Sequence, residues 1–160
     1  MKKILLIEDD VTVRENTAEL LELSEYKVIT SNDGKQGCIK AQAELPDIII
    51  CDIMMPEMDG YGVLQVLSDN PKTANIPFIF LSAKTEHKDI RRGMDLGADD
   101  YLTKPFEELD LLSAIESRLA KVAILNSFQK DQSSTEETGK LKNISELREH
   151  FESYPILSFK

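Results

Sequence analysis

Five short apolar runs, each followed by a stretch with helical spacing, constrain this chain more than any other feature. The runs are Ile4–Ile7, Lys27–Thr30, Asp47–Ile53, Pro77–Ser82 and Asp100–Thr103. They are near-continuous rather than alternating, and rich in Ile and Val. Strands covered on both faces of a parallel sheet look like this. Helical spacing follows each one: Val13, Thr17, Leu20, Leu21 and Ser24; then Gly37, Ala41 and Glu44 after the turn Asn32-Asp33-Gly34; then Tyr61, Leu64 and Leu67. A fourth helix is expected from Glu86 to Leu96, closed by Gly97, and a fifth carries Leu109, Leu112, Ile115, Leu119 and Val122. Alternating strand and helix predicts an α/β fold built on a parallel sheet.

The carboxyl ends of these strands carry the chemistry, because ligands of open α/β sheets bind there. The first strand ends in Glu8-Asp9-Asp10, the third in Asp52, the fourth in Ser82-Ala83 and the fifth in Lys104-Pro105. Three or more carboxylates in one pocket repel one another, and a hard divalent cation such as Mg²⁺ relieves the repulsion. A carboxylate held beside such an ion can attack a phosphoryl group and become an acyl phosphate. The transferred group then needs a cation and a hydroxyl aimed at the same point. Lys104 and Ser82 are placed to supply them. Taken singly, each fragment has a plainer reading. Glu8-Asp9-Asp10 would be a solvated loop, Asp52 a cap, Ser82 a strand-end hydroxyl, Lys104-Pro105 a turn and Tyr101 a core residue. Their joint placement favours a site.

Charge and length bound the rest. The 160 residues carry a net charge of -10, and residues 121–160 hold six basic and six acidic side chains. The excess of acid therefore lies in residues 1–120, which would repel a phosphate backbone, so no direct nucleic-acid binding is expected of this segment. The longest apolar runs, such as Ile48–Cys51, are too short to span a bilayer, so no membrane partner is expected. With no leader ahead of Glu8, a cytoplasmic location is the default. Cys38 and Cys51 lack metal or redox spacing and read as reduced structural thiols, and His87 and His150 stand alone.

Three segments are expected: a domain over 1–123, a flexible linker over 124–140, and 141–160 as the start of an output domain or a tail. The stretch from Lys130 to Lys140 has no apolar residue. Ile144, Leu147 and Phe151 then recur at helical spacing behind a cap at Asn143 or Ser145, and Tyr154–Lys160 looks like an unfinished strand, as in a cut chain. Leu112, Ile115, Leu119, Val122 and Asn126 form a 3-4-3-4 pattern. It reads either as a short coiled coil between two chains, with Asn126 fixing register, or as one face packed on the sheet.

Residues 4–120 resemble the response-regulator receiver family. The resemblance is carried, in order, by Ile4–Asp10, by Asp52-Ile53-Met54-Met55-Pro56 with Asp59-Gly60, by Leu81-Ser82-Ala83, by Gly97–Tyr101 and by Lys104-Pro105-Phe106. It implies a flavodoxin-like doubly wound sheet of five parallel strands, order 2-1-3-4-5, with five helices. It also implies that Asp52 is the phosphoacceptor and that Mg²⁺ is held by Asp9, Asp52 and the Met54 backbone carbonyl, with Glu8 acting through water. Lys104 and Ser82 would stabilise the phosphoryl group. Ser82 and Tyr101 would form the switch, the Lys104–Pro105 bond would be cis, and Asp10 would cap a helix. Met54 and Lys84 would flank the path of attacking water and tune the lifetime of the phosphorylated state.

The implied partners are a sensor histidine kinase and a second copy docking through the helix 4–strand 5–helix 5 face, where Ile90 and Ala114 are expected. The implied output is transcription; the alternative is a stand-alone receiver acting by protein docking. Residues 141–160 are similar to the opening of a catabolite-activator-type cyclic-nucleotide-binding domain. A Mg²⁺-dependent aspartyl-phosphate phosphatase is the rival class. Its pattern places a second aspartate two residues after the nucleophile, where this chain has Met54, which favours a signalling domain over an enzyme.

Overall fold

The computed structural model describes residues 1–83 and 86–134. It contains β1 (Lys3–Ile7), α1 (Val11–Leu23), β2 (Lys27–Ser31), α2 (Gly34–Glu44), β3 (Ile48–Asp52), α3 (Gly60–Ser68), β4 (Phe78–Ser82), α4 (His87–Asp95), β5 (Asp100–Thr103) and α5 (Glu108–Ser134). The strands form one parallel sheet in the order β2-β1-β3-β4-β5. The topology therefore matches the expected 2-1-3-4-5 order.

The strand runs are continuous because both faces of the sheet are covered. Leu5, Ile7, Ile49, Cys51, Phe78 and Phe80 pack with residues of α2 and α3. Ile4, Leu6, Ile48, Ile50, Ile79 and Leu81, their immediate neighbours, pack with Leu21 of α1 and with Leu111, Ala114 and Ile115 of α5. Successive side chains of a strand point to opposite faces, so a two-faced core needs apolar residues at both parities. Every residue of β3 and β4 is buried, whereas the edge strand β5 is only half-buried. β3 is shorter at both ends than the run Asp47–Ile53: the Asp47 N–H donates to the Lys3 carbonyl at 2.8 Å while its side-chain carboxylate, in place of a backbone carbonyl, accepts the Lys3 N–H at 2.7 Å, and Ile53 opens the loop beyond.

Three of the helices start on aspartate. Asp10, Asp33 and Asp59 accept the N–H groups of Val13, Gln36 and Gly62, each satisfying a donor that the first helical turn leaves free. In α5, Ile115 is fully buried and Leu112 and Leu119 pack against the same cluster, so this part of the 3-4 pattern is a face packed on the sheet. Ala114 is buried there too and is not part of an open docking face; Ile90 of α4 is half-buried.

The chain divides into units Met1–Leu119 and Ala120–Lys160. The helix α5 runs on to Ser134, so residues 124–134 of the stretch read as linker are helical. The helix and strand expected over 141–160, their resemblance to a nucleotide-binding domain, and Lys84 lie outside the described residues.

Candidate functional site

β1 and β3 lie side by side, with Ile7 opposite Cys51, so Glu8 and Asp52 emerge at the same edge of the sheet. One carboxylate oxygen from each of Glu8, Asp9 and Asp52 falls within 4.8 Å of the others. Glu8 and Asp52 are buried, at 2% and 6% exposure, and Asp9 is the most open of the three. β4 brings Ser82, which is fully buried, and the peptide after β5 brings Lys104. The Lys104 N–H donates to the Ser82 carbonyl at 2.8 Å, which ties the two loops together. The Lys104–Pro105 bond is cis. Lys104 Nζ pairs with Glu8 Oε1 and lies 3.5 Å from Asp52 Oδ2.

The electrostatics follow from three acids and one ammonium in a partly dry pocket. Burial pushes the Glu8 carboxyl above its ordinary value; the hydrogen bond from Lys104 opposes this, and the charge of Asp52 adds to it. Burial and the neighbouring Glu8 raise Asp9 as well. Burial works to lower Lys104, but contact with Glu8 and the charge of Asp52 outweigh it and raise the ammonium's pKa. Each shift has the sign expected of a site short of positive charge.

The loop after β3 holds Asp52 from below. Gly60 donates its N–H to the Ile53 carbonyl at 2.9 Å and passes so close that a Cβ there would lie 2.4 Å from the Asp52 carbonyl oxygen. Met54 donates its N–H toward Asp52 Oδ1 at 3.4 Å, while its side chain is 57% exposed at the pocket rim. Tyr101 is half-buried, packs on Phe80 with ring centroids 6.0 Å apart, and shares a hydrogen bond with Ser82. Gly93 of α4 allows this packing: a Cβ there would meet the Phe80 ring at 3.0 Å and Tyr101 at 3.2 Å. Tyr61, from α3, packs edge-on against the same Phe80, stacks under Arg92 at 4.2 Å and donates to the Asp89 carbonyl at 3.1 Å.

The structure thus brings together Glu8, Asp9, Asp52, Ser82 and Lys104, with Met54 at the rim and Tyr101 joined through Ser82. Asp10 stands apart from the cluster as the cap of α1. One residue beside the site escaped the sequence patterns. Arg14 reaches back from the first turn of α1 and donates to the carbonyls of Glu8 at 2.8 Å and Asp9 at 3.4 Å. The available signal was its place one turn inside a helix that follows an acidic loop.

Known proteins resemble the chain in sequence and in fold. The family described as the response regulator receiver domain matches residues 4–116. The "Probable transcriptional regulator ycf27" of Cyanophora paradoxa is 39% identical over 120 residues, which is 75% of this chain and 49% of that protein. The "Alkaline phosphatase synthesis transcriptional regulatory protein PhoP" of Bacillus subtilis is 34% identical over 155 residues, 96% of this chain and 63% of that protein. The chain spans about half the length of the curated relatives it matches. Among solved structures, a response regulator receiver domain protein from Clostridium thermocellum has a TM-score of 0.73 at 28% identity, covering 78% of this chain and 99% of that one. The receiver domain of a sensor histidine kinase from Pseudomonas aeruginosa, which has a magnesium ion coordinated in its active site cleft, has a TM-score of 0.70 at 27% identity and covers 74% and 98%.

Proposed function

The chain belongs to the response regulator receiver domain family, and on that premise we propose that Asp52 accepts a phosphoryl group from a sensor histidine kinase to control transcription. The observation that carries this reading is the pairing of Asp52 with Lys104 Nζ at 3.5 Å, inside a cluster of three carboxylates at the carboxyl ends of β1 and β3. A nucleophilic carboxylate needs a cation to neutralise the equatorial oxygens of the incoming group, and positioning supplies most of the remainder. Asp52 Oδ forms the new P–O bond as the donor's bond to phosphorus breaks. Lys104 takes one phosphoryl oxygen and the Ser82 hydroxyl donates to another.

The donor set fits Mg²⁺: hard oxygen ligands, few of them, with room left for water and phosphate. The open carboxylate of Asp9, with Asp52 and the Met54 carbonyl, would hold the ion. Glu8, already engaged by Lys104, would act through water. When bound, the ion adds charge neutralisation at the phosphoryl oxygens.

The switch follows from the hydrogen bond between Ser82 and Tyr101. When the Ser82 hydroxyl turns to a phosphoryl oxygen it leaves the phenol, and Tyr101 is released to shift from its present packing on Phe80 and Gly93 under α4. Readout then passes through α4 and β5. Next to Lys104, a groove of about 430 Å³ lined by Val13, Asn16, Thr17, Lys104, Pro105 and Phe106 offers the donor protein an apolar landing beside the nucleophile. Met54 supplies no acid at the rim, which favours a domain that is phosphorylated and read over a phosphatase that turns over substrate.

Incubation with Mg²⁺ and a small acyl-phosphate donor, followed by intact mass, tests the assignment. The parent chain gains one phosphoryl group and Asp52→Asn gains none. Undiminished modification of Asp52→Asn would overturn it.

A further inference from the structure

Glu8 and Asp9 are consecutive in sequence, and consecutive residues of an extended chain send their side chains to opposite sides. β1 obeys this rule: Ile4 and Leu6 enter one core cluster, Leu5 and Ile7 the other. Glu8 is still held beside β2, its N–H donating to the Ser31 carbonyl at 3.0 Å. Had the strand run one step further, Asp9 would face away from Glu8. Instead oxygens of both residues converge on Asp52 within 4.8 Å. The backbone has therefore turned between them, and something must hold the turn open to a site that repels its own members.

Arg14 is placed to do this. A single nitrogen, Nη1, donates to two successive carbonyls, Glu8 at 2.8 Å and Asp9 at 3.4 Å. Successive carbonyls of a regular strand point in opposite directions, so one donor spans both only where the chain has left the extended form. The base of Arg14 is fixed independently: its N–H bonds to the Asp10 carbonyl at 2.9 Å, behind the Asp10 cap of α1. We propose that Arg14 is a positioning residue of the metal-binding acids: its guanidinium pins the turned Glu8–Asp9 backbone so that both carboxylates face Asp52. This rests on reading the cluster as a Mg²⁺ site.

The sign of one measurement separates positioning from simple charge. Arg14 is a cation close to a cation site, so removing its charge alone would strengthen Mg²⁺ binding. Losing the staple weakens it, because the free energy of re-forming the turn is then taken from binding. Supporting groups behind metal ligands typically contribute 10–100-fold in affinity.

The test is calorimetric titration of Mg²⁺ into the full chain, the Arg14→Met variant and the Arg14→Lys variant, with urea unfolding of each in the absence of metal. Arg14→Met, which keeps the aliphatic stem, is expected to bind about tenfold more weakly, and Arg14→Lys, a single point donor, falls between it and the parent. Arg14→Met binding within twofold of the parent, or more tightly, overturns the proposal. If Arg14→Met does not fold without metal, Arg14→Lys decides: affinity equal to the parent's overturns the staple, and a reduced affinity with an unchanged unfolding midpoint supports it. A parent chain that binds no Mg²⁺ would sink the metal reading itself, and this inference with it.

Discussion

Substituting Gly60 by alanine tests how tightly Asp52, the proposed phosphoacceptor, is held, since the strain falls on backbone alone. Gly60 is the first residue of α3, and its N–H closes on the Ile53 carbonyl at 2.9 Å. A Cβ at this position would lie 2.4 Å from the Asp52 carbonyl oxygen, 2.8 Å from the Ile53 Cα and 3.0 Å from the Asp52 carbonyl carbon. No rotamer can relieve these contacts. To reach an ordinary separation of 3.4 Å the two segments must part by about 1 Å. Overpacking of this kind costs about 1–3 kcal/mol, and loosening the Gly60–Ile53 hydrogen bond adds about 1 kcal/mol. The gain in helix propensity offsets about 1 kcal/mol, which leaves a net loss of roughly 1–3 kcal/mol. The carboxylate of Asp52 moves with its backbone, and a displacement of about 1 Å at a reacting group can cost on the order of 100-fold in rate. Urea unfolding without metal should show a lower midpoint at unchanged slope, and phosphorylation from a small donor should slow by about two orders of magnitude. Gly62→Ala is the control: its Cβ would meet only the Met58 side chain, at 3.1 Å, and Asp59 Oδ1 at 3.6 Å. A Gly60→Ala chain matching the parent in both measurements would refute the reasoning.

Asp9→Ala should weaken Mg²⁺ binding more than Glu8→Ala, because Asp9 is the open carboxylate and Glu8 is committed to Lys104; equal affinities in a Mg²⁺ titration would show the inner ligand to be misassigned. Burial raises Glu8 above its ordinary 4.5, so the folded state holds that proton more tightly than the unfolded chain. Its contribution is thus present below about 4.5 and is lost as pH rises through the elevated folded value. Thermal unfolding of metal-free Glu8→Gln should fall less steeply over that window than the parent, and parallel curves would contradict the shift. Met54 is 57% exposed at the rim and cannot orient a water, so Met54→Asn, with Lys84→Glu, should shorten the phosphorylated state several-fold; a parent decay as fast as the double variant's would remove these positions from control of the lifetime.

What could be read in the sequence was whatever leaves a one-dimensional trace. Strand positions were legible because β3 and β4 are buried on both faces and therefore apolar up to the polar residue that ends each, Asp52 and Ser82. The order of the strands came from the resemblance to the receiver family, since an apolar run does not say which strand lies beside it. The site was legible because the parallel register delivers strand ends to one edge, so acids after β1 and β3 and a lysine after β5 had to converge. Strand ends were blurred where polar side chains replace ladder bonds, as Asp47 does for Lys3. The rotation of α5 was not legible: Ala114 is small enough for either face, and packing places it in the core. Nor was the end of α5, since residues 124–134 lack a stop signal that a helix must obey. Arg14 left only its place one turn inside a helix after an acidic loop, because its partners are backbone carbonyls, which carry no residue identity.

Lys104 links the separate parts of the site. Its ammonium contacts Glu8 and stands 3.5 Å from Asp52, so one cation serves two buried carboxylates. A single ammonium cannot satisfy Glu8 fully and also turn to a phosphoryl oxygen on Asp52. Whatever charge joins the acids from outside therefore lowers the cost of releasing Lys104 from Glu8, and the release in turn favours phosphorylation. The same lysine holds the Ser82 carbonyl through its own N–H at 2.8 Å, and Ser82 holds Tyr101 through its hydroxyl. A change in the partner of Lys104 would thus reach Ser82 and, through it, Tyr101, the two residues proposed as the switch. Charge shortage in the acid cluster and the position of Tyr101 under α4 are thus linked through Lys104 and Ser82: burial first, and the neighbouring acids second, raise Glu8 and Asp9 and hold Lys104 among them.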